Sequence, residues 1–270
     1  MSIPTRMICA FFGKSRQSLY KHKTKALSDF VDEQQILSAV KNIRREQPRV
    51  GGRKLWLDLK DQGFDIGRDR FFNILKKNDL LVKPRKRYSR TTDSNHWFRK
   101  YTNLVKGVEF TGKEQLYVAD ITYLRLTNGF AYLSLITDAW SHKIVGWDVS
   151  TSRSVEGALR SLKMALKSTA HPEGLIHHSD RGVQYCCQDY TRLLKDYGVL
   201  ISMTEENHCY ENAIAERVNG ILKDEFYLGD TLPSLKVAKE LVKNTVRIYN
   251  TKRRHMSIDF KVPEEVHAIL

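Results

Sequence analysis

The segment from residue 116 to residue 149 constrains the fold of this chain more than any other. Runs 116–126 and 130–140 are rich in β-branched and aromatic residues, and Asn128-Gly129 lies between them. An Asn-Gly pair in this setting indicates a β-hairpin, because both residues accept the positive φ of a tight turn. A third run of the same kind, 143–149, follows. The sequence therefore predicts three antiparallel strands at the start of a sheet.

The pattern after residue 150 alternates between helices and short strands. Ser154 is placed to cap a helix through about residue 168, with apolar residues on one face. We predict strands at 175–178 and 199–203, a helix at 190–197, and two more helices at about 211–228 and 234–250. Three antiparallel strands followed by this alternation predict an α/β fold of the ribonuclease-H-like class. Its sheet is mixed and five-stranded, with flanking helices.

Three acids occupy distinctive places in this pattern. Asp120 lies in the middle of the first strand, where an ionised carboxylate is costly unless it meets a cation or hydrogen-bond donors. Asp180 lies 60 positions later, where a strand meets its turn, and α/β sheets place ligands at such strand ends. Glu216 follows with 35 residues between it and Asp180, on a predicted helix.

The helix that carries Glu216 has two different faces. Helical spacing places Ile214, Val218, Ile221 and Leu222 on one face, and it places Glu216, Asn219 and Lys223 on another. Mg²⁺ (or Mn²⁺) prefers oxygen ligands, so a few carboxylates suffice to hold a pair of ions about 4 Å apart. We therefore predict that Asp120, Asp180 and Glu216 are catalytic residues and metal ligands.

Each acid also has a plain structural explanation. Asp120 would be a buried acid paired with an arginine, Asp180 would shape the turn before Arg181-Gly182, and Glu216 would pair with a base on its own helix. For each acid taken alone, the structural explanation is at least as good as a role as metal ligand. The placement of all three acids together favours the metal site. His177 and His178 allow either a core role or an orienting hydrogen bond. We predict that His178 and Asn212 orient the site and that Asp138 is structural.

The positive charge is concentrated in the first third of the chain. Residues 1–100 hold 24 lysines and arginines against 10 acids, whereas residues 101–270 hold 21 of each. This asymmetry favours a polyanion bound by the N-terminal part, although a solvated basic surface is the simpler alternative. No apolar run is long enough to span a bilayer, no signal peptide is evident, and the four cysteines form no C-x-x-C pair. We expect a cytoplasmic protein with reduced thiols, with no membrane partner.

Two short helices around the turn Gly63–Gly67 predict a helix-turn-helix at 48–82, although a plain helical hairpin is the alternative. A helical segment at 1–47 precedes it. Residues 1–25 of this segment resemble a small helix-turn-helix only weakly, and residues 29–47 predict a separate amphipathic helix. A basic linker at 83–114 follows, then the catalytic core at 115–230 and a C-terminal helix and tail at 231–270. Predicted DNA contacts in the N-terminal part are Arg53, Lys54, Arg68, Arg70, Lys83, Arg85, Lys86 and Arg87.

Several motifs resemble those of a known family. They are Asp120-Ile121-Thr122-Tyr123, the runs from His178 to Tyr185 and from Cys209 to Glu216, Leu222-Lys223-Asp224-Glu225, Tyr249-Asn250, Arg253-Arg254-His255 and Pro263. Over about residues 45–268 the chain resembles bacterial insertion-sequence transposases of the IS3 group (their catalytic orfB product), which are related to retroviral integrases. Val118 departs from the tryptophan common in the group, and Glu211 from an aspartate, but all three acids are present.

The resemblance implies an Asp-Asp-Glu enzyme that nicks the 3′ ends of an insertion element and transfers them to target DNA. It also implies that Lys223 contacts the terminal DNA, that the protein is a homo-oligomer, and that the orfA product or a fusion with it is a partner. Two other functions stay open at this point. A ribonuclease-H-like nuclease would use similar carboxylates, and a catalytically silent DNA-binding protein derived from a transposase would keep only the basic third.

Overall fold

The computed structural model describes residues 4–83, 99–152, 154–205 and 213–269 of the 270-residue chain. The chain divides into two compact units, Met1–Lys83 and Pro84–Leu270. The first unit is helical and the second contains the sheet. None of the helices within these described ranges is long and apolar enough to cross a membrane.

The N-terminal unit contains four helices: α1 (Thr5–Phe11), α2 (Arg16–Glu46), α3 (Gly52–Asp61) and α4 (Arg68–Lys77). Its core joins the second half of α2 to α3 and α4, through Val40, Leu55, Leu59, Phe71 and Leu75. The Nε1 of Trp56 donates to the carbonyl of Ile66 at 3.0 Å and fixes the turn between α3 and α4. Two short helices around a tight turn are therefore present where the sequence predicts a helix-turn-helix.

Helix α2 is longer than the predicted helix at 29–47. It begins at Arg16, where the Ser15 hydroxyl caps it by accepting a hydrogen bond from the Ser18 N–H at 3.0 Å. No glycine or proline interrupts residues 16–46, so nothing in the sequence stops the helix before Pro48. The expectation of two separate helices in this region is therefore wrong.

The second unit is built on five strands: β1 (Leu116–Leu126), β2 (Gly129–Asp138), β3 (Ile144–Ser150), β4 (Ile176–Ser179) and β5 (Leu200–Met203). Their order is β3-β2-β1-β4-β5, with β1, β2 and β3 antiparallel and β4 and β5 parallel to β1. Gly129 has φ 106° in the hairpin turn, a conformation that glycine adopts without strain. The predicted mixed five-stranded sheet is confirmed.

Helices cover both faces of this sheet. One face packs against α5 (Val155–Ser168), α6 (Val183–Cys186) and α7 (Gln188–Asp196), and the other against α8 (Ala213–Glu225) and α9 (Leu235–Thr251). Gly146 allows close approach of α5, because a Cβ there would lie 2.2 Å from the Ser161 carbonyl oxygen. The order is that predicted for a ribonuclease-H-like domain.

The segments on either side of this core also pack onto it. Residues 99–114 form no helix or strand, but Tyr101, Val105 and Phe110 contact the apolar core, and the Leu104 N–H donates to Ser202 Oγ at 2.9 Å. At the other end lies the short helix α10 (Pro263–Ala268), which the sequence patterns did not predict. Residues near both ends of the unit are therefore part of its packed structure.

Asp138 has the structural role predicted for it. It is fully buried at the end of β2, where its Oδ1 accepts from the N–H and hydroxyl of Ser141 at 2.7 Å and its Oδ2 accepts from the Glu114 N–H at 2.8 Å. Hydrogen bonds to both oxygens stabilise the buried charge and fix the turn between β2 and β3.

Candidate active site

The parallel pairing of β1 and β4 places Asp120 beside Asp180. The last paired positions are Ala119 and Ser179, and each aspartate is the next residue on its strand. Neighbouring strands lie about 4.8 Å apart, and residues in register point to the same face. Both aspartates are half-buried. Two aspartates from sequence positions 60 apart therefore lie at neighbouring positions of adjacent strands, at the carboxyl end of β4.

Backbone hydrogen bonds fix both side chains. The Ile121 N–H donates to Asp120 Oδ1 at 2.9 Å, and the Gly182 N–H donates to Asp180 Oδ1 at 2.9 Å. Gly182 also leaves room for the carboxylate, since a Cβ at this position would lie 2.9 Å from Asp180 Oδ1 and 2.8 Å from Gln184 Oε1. The Arg181-Gly182 turn is therefore part of the site's geometry.

Gly182→Ala is expected to preserve the fold and to lower activity. The backbone at Gly182 has an ordinary φ of −63°, so alanine causes no backbone strain. The added methyl group instead presses on the Asp180 carboxylate and on the end of Gln184, and misplacing a reacting group by about 1 Å costs up to about 100-fold in rate. If Asp180 is catalytic, as the family resemblance implies, we expect activity to fall by about 10- to 100-fold, with a melting temperature close to that of the wild type. Gly112→Ala is the control, because its methyl group meets only the end of Gln115, at 3.4 Å. Equal activity in both variants would contradict this account.

Asn219 is the site residue whose contact the sequence did not reveal. It lies on α8, and its Nδ2 donates to Asp120 Oδ2 at 2.7 Å, so both oxygens of Asp120 accept a hydrogen bond. Asn219 is buried, and its Oδ1 has no hydrogen-bond partner within the described ranges. The sequence signal for a role of Asn219 in the site was its position three residues after Glu216, on the same side of the helix. The amide thus orients the aspartate and leaves a buried acceptor oxygen beside it.

Glu216 lies on the first turn of α8, one turn before Asn219, and is half-buried. The neighbouring Ala215 packs with Leu116 and Val118, which share the sheet face of Asp120. In the part of the chain that the structure describes, no three acids, histidines or cysteines lie close enough together to hold a metal ion. The structure thus places the two aspartates on adjacent strands and Glu216 on the helix that covers the same face, without gathering the three carboxylates into one cluster.

Lys223 extends the same stripe of α8. Its Nζ lies 4.4 Å from the centre of the Tyr123 ring, which is a cation–π distance. Burial lowers the pKa of Lys223, and the nearby charge of Asp120 opposes that shift. The predicted stripe of Glu216, Asn219 and Lys223 is therefore present on one side of α8, while Val218, Ile221 and Leu222 face the core.

The two histidines of β4 are buried in different surroundings. His177 shares a hydrogen bond of 2.9 Å with the Tyr190 hydroxyl, and burial, together with His178, lowers the pKa of His177 to about 3. It is a neutral core histidine. His178 shares a hydrogen bond of 2.8 Å between its Nδ1 and Ser202 Oγ, which links β4 to β5. His178 lies two residues before Asp180 on the same strand face. Asn212 lies outside the described residues.

The predicted DNA contacts of the N-terminal unit have varied surroundings. Arg70 pairs with Asp29 of α2 at 3.1 Å, and Arg68 pairs with its neighbour Asp69 at 3.0 Å. Lys83 accepts a hydrogen bond from Arg49 through its carbonyl oxygen. Arg53 and Lys54 lie on α3, and Arg85, Lys86 and Arg87 fall outside the described residues.

The donor atoms of the site suit a hard divalent cation. Asp120 and Asp180 supply adjacent carboxylates, and the buried Oδ1 of Asn219 is an oxygen acceptor without a hydrogen-bond partner among the described residues. Mg²⁺ and Mn²⁺ favour carboxylate, carbonyl and water oxygens. The residues present therefore fit such an ion.

Comparisons with known proteins agree with this geometry. Two models described as "Integrase core domain" match residues 111–209 and 197–263. An uncharacterized 31 kDa protein of insertion element IS600 from Shigella sonnei is 34% identical over 253 residues, covering 92% of this chain and 93% of that protein. Transposase InsF of insertion sequence IS3A from Escherichia coli K12 is 31% identical over 223 residues, covering 82% of this chain and 77% of InsF.

A solved structure shares the fold. A chain in the cryo-electron microscopy structure of a simian T-cell lymphotropic virus intasome, in complex with a PP2A regulatory subunit, aligns with a TM-score of 0.53. The alignment covers 86% of this chain and 75% of that chain at 16% sequence identity. At this identity the likeness establishes the fold and no more.

Proposed function

Because the chain belongs to the IS3 family of insertion-sequence transposases, we propose that Asp120, Asp180 and Glu216 form its catalytic triad. The chain is a transposase of the Asp-Asp-Glu type, which is a polynucleotidyl transferase. One observation supports the triad above the others. Asp120 and Asp180 directly follow the last paired residues of β1 and β4. Helix α8 covers the same face of the sheet, and its Glu216 lies one turn before Asn219, which donates a hydrogen bond to Asp120.

Asp120, Asp180 and Glu216 would hold divalent cations, Mg²⁺ or Mn²⁺, and we propose two ions. When bound, such ions activate the attacking oxygen and stabilise charge on the leaving oxygen in phosphoryl transfer. The protein's own part is to fix the ligands. The N–H groups of Ile121 and Asn219 hold Asp120, and the Gly182 N–H holds Asp180. Because these carboxylate oxygens are already held in position, they need not reorient during the reaction.

The chemistry is two successive in-line displacements at phosphorus. In the first, a water oxygen attacks a phosphodiester at the element end, the P–O bond to the 3′ oxygen breaks, and the element strand keeps a free 3′-OH. In the second, that 3′-OH attacks a target phosphodiester and a target 3′ oxygen leaves. Each step exchanges one P–O bond for another and passes one proton from nucleophile to leaving group. No covalent intermediate with the enzyme is required.

The DNA partners follow from this chemistry. The substrates are the double-stranded terminal inverted repeats of the element and the target DNA. Lys223 lies on the stripe of Glu216 and Asn219, where its ammonium group would contact a terminal phosphate. His178 and Asn212 would orient the acids. We also propose a homo-oligomer that holds two element ends, aided by the orfA product or a fusion with it, in the bacterial cytoplasm at the nucleoid.

The experiment that tests this proposal compares two changes on one helix. Glu216→Gln removes a proposed ligand, whereas Asp224→Asn removes the charge of an exposed acid on the same helix. Wild type and Asp224→Asn are expected to nick and join duplexes that carry the element ends, in Mg²⁺ and not in EDTA. Glu216→Gln is expected to lose both reactions by about 100-fold or more, since it removes charge from the reacting centre.

Other outcomes separate the alternatives. Nicking without joining by the wild type would favour a nuclease, and DNA binding without either reaction would favour a silent DNA-binding protein. Full activity in Glu216→Gln would remove that residue from the triad.

A further inference from the structure

Helix α1, the turn at residues 12–15 and the start of α2 follow one another in the order of a helix-turn-helix, separate from α3 and α4. Gly13 adopts φ 61° in the turn, Ser15 caps α2, and the Gly13 and Lys14 N–H groups donate to carbonyls of α1. In helix-turn-helix proteins the second helix lies in the major groove, and residues of its first turns contact base edges. By analogy, the first turns of α2 would be the part that contacts DNA bases.

One face of α2 is equipped for such contacts. Positions i, i+1, i+4, i+5, i+8, i+9 and i+12 from residue 16 share one side of a helix. All seven side chains are exposed and lie side by side on the surface of the helix. They are Arg16, Gln17, Tyr20, Lys21, Thr24, Lys25 and Ser28. Each carries a hydrogen-bonding group, and arginine and glutamine are side chains that form paired hydrogen bonds to guanine and adenine.

The charge of this face favours DNA. Residues 4–28 contain six lysines and arginines and no acid. Within the described ranges, Arg16, Lys21 and Lys25 form no ion pair. The basic residues of α4 differ, because Arg70 pairs with Asp29 at 3.1 Å and Lys77 pairs with Glu33 at 3.1 Å. The acids that neutralise α4 lie on α2 just beyond the basic face.

We propose that this face of α2, residues 16–28, reads base edges in the major groove of duplex DNA. The proposal rests on the proposed function, since it takes the DNA element as the partner. A helical face of 13 residues is about 20 Å long and fits a groove about 12 Å wide. Arg16 and Gln17 on the first turn would carry sequence preference, and Lys21 and Lys25 would contact phosphates. Because Arg70 and Lys77 of α4 pair with acids of α2, we assign α3 and α4 the role of supporting α2 rather than of contacting base edges.

The test is a DNA-binding measurement that requires no catalysis. The full-length chain in EDTA is used to select binders from a pool of random 20-base-pair duplexes, and the selected duplex and a shuffled version of it become probes in fluorescence anisotropy. Arg16→Ala/Gln17→Ala is expected to weaken binding of the selected duplex by at least about tenfold, because each lost paired contact to a base is worth that order of discrimination. Binding of the shuffled duplex is expected to change by less than about threefold.

Two controls make the outcome decisive. Lys41→Ala removes one exposed base from the same helix, about 20 Å beyond residue 28, and is expected to leave the preference for the selected duplex unchanged. Lys77→Ala tests α4 at a base that pairs with Glu33, and it is also expected to leave the preference unchanged. Loss of selectivity in Lys77→Ala but not in Arg16→Ala/Gln17→Ala would overturn the proposal. Equal weakening of both duplexes by the double variant, or no weakening, would also overturn it. Because no metal or reaction is involved, none of these results depends on the triad.

Discussion

Asp120→Asn is expected to lower strand transfer by about 1,000-fold or more while DNA affinity stays within about threefold of the wild type. The change keeps the size of the side chain and removes its charge, which the proposed cations require. Both Asp120 oxygens accept hydrogen bonds, one from the Ile121 N–H and one from Asn219 Nδ2. An asparagine at position 120 would replace one of these acceptor oxygens with an NH₂ group, which would face an N–H donor. That mismatch costs about 1–3 kcal/mol of stability. The measurements are single-turnover joining and anisotropy on the same protein.

The control for this variant is Asp196→Asn, which neutralises an exposed acid of α7 in the same unit. It is expected to retain full activity. Thermal melting of both variants shows whether the loss of activity exceeds the loss of folded protein. Joining by Asp120→Asn at a rate near that of the wild type would remove Asp120 from the catalytic role.

Arg253→Ala is expected to destabilise the sheet unit by about 3–5 kcal/mol, because it removes the guanidinium that pairs with a mostly buried carboxylate. Arg253 has 3% of its side chain exposed and forms two hydrogen bonds to Glu225, at 2.8 and 2.7 Å. Glu225 is the last residue of α8, so the pair ties the helix of Glu216 to the segment after α9. Denaturant unfolding measures the loss as a lower midpoint.

Arg160→Ala is the matched control for burial. Arg160 also forms two hydrogen bonds to one carboxylate, that of Asp148, at 2.9 and 2.8 Å, but 53% of its side chain is exposed. Its loss is expected to cost less than about 1 kcal/mol. In addition, Arg253→Met/Glu225→Leu is expected to be more stable than Arg253→Ala, since the buried carboxylate is removed together with the guanidinium that pairs with it. If Arg253→Ala and Arg160→Ala lose the same free energy of unfolding, burial does not set the strength of these two ion pairs.

The sequence was a sufficient guide to the sheet and to the position of two acids. The Asn128-Gly129 turn and the three β-rich runs predict the hairpin because turn chemistry and side-chain alternation are local properties. Asp120 and Asp180 were predicted to share one metal site, and the observed pairing of β1 with β4 puts the two residues on adjacent strands. The two faces of α8 also follow directly from helical periodicity.

The remaining features depend on tertiary contacts that local patterns do not encode. Asn219 was recognised as part of a polar stripe, but its bond to Asp120 depends on where α8 lies along β1. The pairing of Arg70 with Asp29 depends on the crossing of α4 and α2, so a basic residue expected to contact DNA is found beside an acid. Helix α10 is only six residues long, and periodicity over so few residues gives no clear signal.

We propose that Asp120, Asp180 and Glu216 hold the catalytic cations, and a crystal structure of the chain soaked in Mn²⁺ would show whether they do. The anomalous difference map locates the metal without reference to activity. We expect a peak bound by Asp120 and Asp180, with Glu216 close by or on a mobile end of α8. No metal peak, with the carboxylates in separate surroundings and an ordered α8 turning Glu216 away from the aspartates, would contradict it.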